Sequence, residues 1–82
     1  MFGTISEYKD QAAYWAALCA MDGLEMSDEI LDPNSADGEI DSVWEFVVEN
    51  CKEEGITIPS KEEAIAELRE MIAFHIINMT EN

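Results

Sequence analysis

Eighty-two residues carrying 19 acids against four lysines or arginines give a formal net charge of −15, a field that repels nucleic acid and anionic membranes and draws in basic partners. Direct binding to DNA or RNA is excluded as a main role, and no apolar run nears the ~20 residues a membrane span needs. Hydrophobic content of 48% is ordinary for a globular chain, so the charge does not imply disorder, and the length supports one small domain.

Thr4-Ile5-Ser6-Glu7 has the form of a capping box. Ile5, Tyr8, Ala12, Trp15 and Cys19 then recur at helical spacing, widened by Ala16 and Leu18, which predicts a first helix over 5–21 ending near Asp22-Gly23. Ser27-Asp28-Glu29 opens a short helical turn over 27–31 that brings Ile30 and Leu31 inward. The run from Asp32 through Pro33, Asn34 and Ser35 to Asp37-Gly38 has strong turn chemistry.

The clearest helix spans 38–54. Ile40, Val43, Trp44, Val47, Val48 and Cys51 mark one apolar face, Asp37 stands where an N-cap is expected, and Gly55 where a terminator is expected. Phe46 lies off that face, either exposed or packed on another helix. Ile56-Thr57-Ile58-Pro59 alternates but has no second strand to pair with, so it reads as a connector. Ser60-Lys61-Glu62-Glu63 is a second capping box, opening a helix over 60–79 with a core stripe of Ile65, Leu68, Ile72, Ile76 and Met79. Met71, Ala73, Phe74 and Ile77 make its second half apolar nearly all round, which predicts that Met71, Phe74 and Ile77 are buried in the bundle or against a second copy of the chain. The fold class is all-α: a small bundle of three main helices plus a short helical turn.

Little in the sequence points to catalysis, a metal or a cofactor. His75 is the one histidine; it lies among Phe74, Ile76 and Ile77 with no nucleophile in a recognisable pattern nearby, and reads as structural. No glycine-rich phosphate loop exists, and Cys19, Cys51 and His75 lack the spacing of metal ligands. Both cysteines read as packed free thiols. With no charged-then-apolar leader, the expectation is a soluble protein of a reducing, cytoplasmic compartment.

The charge itself is organised. Residues 21–54 hold twelve acids against Lys52, a net −11. Within them Asp37, Asp41, Glu45, Glu49 and Glu53 recur every fourth residue, which sets carboxylates roughly 6 Å apart along a helix, close to neighbouring phosphates on a winding strand, whose axial rise alone is ~3.4 Å. Like charges four apart on a helix lose about 0.2–0.5 kcal/mol per pair, so helix stability does not account for the row.

Three resemblances use these residues. Asp32 to Asp41, followed by Glu45-Phe46-Val47, resembles an EF-hand calcium loop, although Asp32 to Glu45 spans fourteen residues where that motif has twelve. Asp41-Ser42-Val43 and Glu54-Gly55-Ile56-Thr57-Ile58-Pro59 are similar to segments of acyl carrier proteins, a resemblance that implies a phosphopantetheine arm on Ser42; here Ser42 falls inside the helix rather than at its start. Residues 35–79, with an acidic amphipathic helix, then Glu54-Gly55-Ile56, Pro59-Ser60-Lys61-Glu62 and Ile65, Leu68 and Ile72 on a closing helix, resemble the Ocr-type anti-restriction proteins of bacteriophages. That resemblance implies a helical dimer whose carboxylates imitate duplex DNA and occupy the groove of a restriction or related enzyme.

The charge-centred reading is the one adopted. It expects a non-enzymatic inhibitor in the cytoplasm of a bacterial host. Asp28, Glu29, Asp32, Asp37, Glu39, Asp41, Glu45, Glu49 and Glu53 would face a basic nucleic-acid-binding protein, such as a restriction, CRISPR or other defence enzyme or a transcription factor.

Overall fold

The computed structural model describes residues 4–26 and 32–81, with no side-chain description for 25, 26 and 79–81. Its long helices are α1 (Ala12–Met26), α2 (Ala36–Glu54) and α3 (Lys61–Glu81), with 3-10 turns at Ile5–Tyr8 and Pro33–Ser35. No strand occurs among the described residues, and the all-α bundle expected from the sequence is what forms.

The first helix departs from expectation at both ends. Residues 5–8 form a separate 3-10 turn, closed by Glu7 N–H donating to Thr4 O at 3.1 Å, and Gln11 N–H donates to Tyr8 O at 2.7 Å. The Thr4 hydroxyl pairs with that of Ser6 at 2.7 Å instead of capping a backbone N–H, so the capping-box pattern does not open an α-helix here. The buried face stays in phase across the break: Ile5, Ala12, Trp15 and Ala16 are buried as expected, Ala17, Ala20, Met21 and Leu24 join them, and Cys19 and Leu18 are only half-buried. At the other end α1 continues through Gly23 to Met26. The expected turn over 27–31, with Ile30, Leu31, Asp28 and Glu29, lies outside the described residues.

Asp37 is not the cap of α2, which starts one residue before it. The Asp32 carboxylate accepts from Asn34 N–H at 2.9 Å and organises the Pro33–Ser35 turn, which runs straight into Ala36. At the far end Gly55 takes the left-handed conformation (φ 70) and its N–H reaches back to the carbonyls of Cys51 and Lys52, as the sequence led us to expect. The second capping box forms in part: Glu63 N–H donates to Ser60 Oγ at 3.2 Å.

α1 packs against both other helices. Trp15 stacks on Phe46 at 5.8 Å between centroids, and Ser6 and Lys9 share a groove with Glu54 to Thr57, so α2 runs antiparallel to α1. The core they enclose contains Ile40, Val47, Cys51, Ala64, Leu68 and Ile72, all at 0% exposure. α1 contributes alanines to it, which lets the helix axes approach closely.

α3 is staggered against α2. Lys61, its first residue, pairs with Asp41, the sixth residue of α2, and Arg69 pairs with Asp37. The connector over 55–60 accounts for this: six extended residues cover ~20 Å, which matches the ~20 Å of helix between Glu54 and Asp41. The second half of α3 therefore runs past the start of α2. There Met71 still packs against the core, but Phe74 and Ile77 are exposed at 67% and 54%. They are not core residues of the chain, and the side chain of Met79 lies outside the description.

Two glycine substitutions should move stability in opposite directions. Gly23 is helical with nothing within 4 Å of a Cβ built on it, so Gly23→Ala should stabilise by about 0.5–1 kcal/mol. Gly55→Ala places a Cβ in the left-handed region and should destabilise by about 1 kcal/mol. Urea titrations followed by circular dichroism measure both.

Candidate partner-binding surface

The five acids of the row are all exposed, but they are not equivalent. Four residues of helix turn through about 400°, so each step drifts ~40° round the axis, and the row begins at the α3 flank of α2 and ends on its outer side. At the flank the acids have partners. Arg69 Nη2 donates to Asp37 Oδ1 at 2.8 Å, and Lys61 pairs with Asp41 while its ammonium sits 5.8 Å from the Trp44 ring centroid. Two of the chain's four Lys and Arg residues are thus spent on the α2–α3 seam. These pairs are roughly half-exposed or more, a class that contributes little stability each, and they mark the stagger that the connector sets.

Further along, compensation stops. Among the described residues Glu45, Glu49 and Glu53 have no ion pair. Asp37 and Glu39 stand in the first turn of α2, where the helix dipole favours a negative charge, but Glu53 and Glu54 stand in the last turn, where it opposes one and Lys52 is the sole base. Of the uncompensated acids, Glu53 is thus the one that the helix dipole opposes.

The remaining expected residues separate from this set. Asp32 acts locally as the cap of the Pro33–Ser35 turn. Glu39 is half-buried, and its backbone carbonyl accepts from Ser42 Oγ at 2.8 Å. Ser42 is thus exposed but bonded back into the interior of α2. From Ala36 onward the stretch likened to a calcium loop is α-helical, so Asp37, Glu39, Asp41 and Glu45 are strung along a helix instead of wrapped round a cavity. Among the described residues no group of three or more His, Cys, Asp or Glu side chains could hold a metal ion, and no helix is long and apolar enough to cross a membrane. An open groove lined by Lys9, Asp10, Tyr14, Thr57, Pro59 and Glu63 lies beside the start of α1. His75 is half-buried on α3 and does not line it.

Sequence reasoning placed the row on the solvent side correctly and missed its partners. Asp37 and Arg69 are 32 residues apart, beyond any helical i, i+4 pattern. The one available signal was that Lys61 and Arg69, eight apart, fall two turns from each other on α3. The chain matches no protein-family model, no curated protein and no solved structure.

Both cysteines are free. Burial, reinforced by the neighbouring Asp22 carboxylate, pushes the Cys19 thiol up from 9.0 to about 11, and burial likewise raises Cys51. Because the folded state holds the Cys19 proton more tightly than the unfolded chain does, this stabilisation is present below pH 9 and is lost as pH rises from 9 towards about 11. At pH 8 iodoacetamide should label the native protein at neither cysteine within the time in which urea-unfolded protein labels at both, as read by intact mass.

The row also makes a stability prediction. Replacing Glu45, Glu49 and Glu53 with Gln removes the like-charge contacts 41/45, 45/49 and 49/53 and should stabilise by about 0.5–1.5 kcal/mol at low salt. The gain should shrink in thermal melts at 1 M salt, where the screening length is ~3 Å.

Proposed function

We propose that this chain is a non-enzymatic acidic inhibitor that presents carboxylates in place of nucleic-acid phosphates and occupies the basic DNA- or RNA-binding groove of a host-defence or nucleic-acid-processing protein. The observation that carries the reading is the exposed run Glu45, Glu49 and Glu53 on the outer side of α2, which has no ion pair among the described residues. A rigid helix holds these charges roughly 6 Å apart, and the main affinity determinant of nucleic acid is such a sequence-independent array of negative charge. A groove evolved to neutralise phosphates gains from the same array without base contacts. Asp37 and Asp41 extend the row but are already engaged by Arg69 and Lys61, so the proposal places the larger contribution on the three glutamates. The resemblance to Ocr-type anti-restriction proteins points to the same class of partner.

Capture of partners from a bacterial lysate at low salt, with elution by high salt, is the direct search. With a captured protein in hand, the Glu45→Gln, Glu49→Gln, Glu53→Gln triple variant should bind at least about tenfold more weakly, whereas Asp32→Asn should change affinity little. Full inhibition by the triple variant would show that the row is a solvated face and nothing more.

A further inference from the structure

The α2 row has one exposed aromatic beside it, Phe46, at 54% but stacked on Trp15, whereas α3 supplies two adjacent apolar side chains. Phe74 and Ile77, 67% and 54% exposed, are three residues apart and so are neighbours on the outer face of α3, opposite the buried Ala64, Leu68 and Ile72. Glu63 and Glu70, both exposed, continue that face at helical spacing toward the start of the helix. Single surface apolar residues need no explanation. Two adjacent large ones on a chain of net charge −15 make a local apolar spot within an acidic surface.

We infer that Phe74 and Ile77 form an apolar anchor that docks into a cationic amphipathic surface of a basic partner protein, with Glu63 and Glu70 meeting the basic groups around it. This rests on the function proposed above and adds the chemistry of the contact. Charge selects the occupant. A second copy would bring another −15 and set Glu63 and Glu70 against like charge. The two side chains expose roughly 200 Å², so a symmetric dimer through them alone would bury roughly 400 Å², well short of the ~1,200 Å² of stable specific interfaces. An anionic membrane is repelled in the same way. A basic surface with an apolar pocket gains association rate from the acids and residence time from the aromatic anchor.

The probe is a fluorescein-labelled helical peptide with leucines on one face and lysines on the other, compared with a peptide of equal charge in which serine replaces leucine. By anisotropy the full chain should prefer the leucine peptide by about tenfold, the scale of one buried anchor, and Phe74→Ser should abolish that preference while leaving the melting temperature unchanged. Glu45→Gln, Glu49→Gln, Glu53→Gln should weaken both peptides alike and preserve the preference. Equal affinity for the two peptides, or a preference that survives Phe74→Ser, overturns the anchor and leaves the row intact. A triple variant that binds both peptides as tightly as the parent instead counts against the charge row and leaves the anchor standing. Sedimentation equilibrium showing a dimer that Phe74→Ser dissociates would overturn the assignment in favour of a second copy.

Discussion

Everything in this molecule depends on one narrow apolar seam along α1. Ala16, Ala17 and Ala20 are essentially fully buried, and their small side chains bring α2 and α3 close enough for Ile40, Val47, Leu68 and Ile72 to close a single core. A small domain buries a modest fraction of its surface, and this one must also hold a net charge of −15 against its own repulsion. The acids consequently sit outside the core: no polar or charged residue is buried among those described.

Cations are spent at the seam between α2 and α3. Lys61 and Arg69 clip the start of α3 to the flank of α2 through Asp41 and Asp37, and the extended connector before Ser60 sets the same offset. Beyond Asp41 the glutamates of the row have no ion pair among the described residues, and Phe74 and Ile77 on the second half of α3 stay exposed. The candidate surface is thus produced by the packing as much as by composition.

Much of the architecture was legible in the sequence. Ile40, Val47 and Cys51 kept a strict 3.6-residue period, Gly55 marked a left-handed terminus and Ser60 an N-cap, and each signal is local to one helix. The first helix was misread because Ile5, Tyr8, Ala12 and Trp15 keep the same period on both sides of the break, and periodicity does not register a 3-10 turn that restarts in phase. Gly23 suggested an end, but an isolated glycine costs a helix only about 1 kcal/mol, which packing of Met21 and Leu24 against the core outweighs. The ion pairs and the stagger depend on contacts between helices, so the exposure of Phe74 and Ile77 could not be read from the hydrophobicity of α3 alone.

Under the proposed function the charge of α2 competes with nucleic acid for a basic groove. Its most direct test is a displacement titration: the captured basic partner, held on the immobilised chain, is challenged with duplex DNA of unrelated sequence at fixed ionic strength. The proposed function predicts complete displacement, with an apparent affinity for this chain that falls in proportion to added DNA. Formation of a stable ternary complex of partner, DNA and this chain would contradict it.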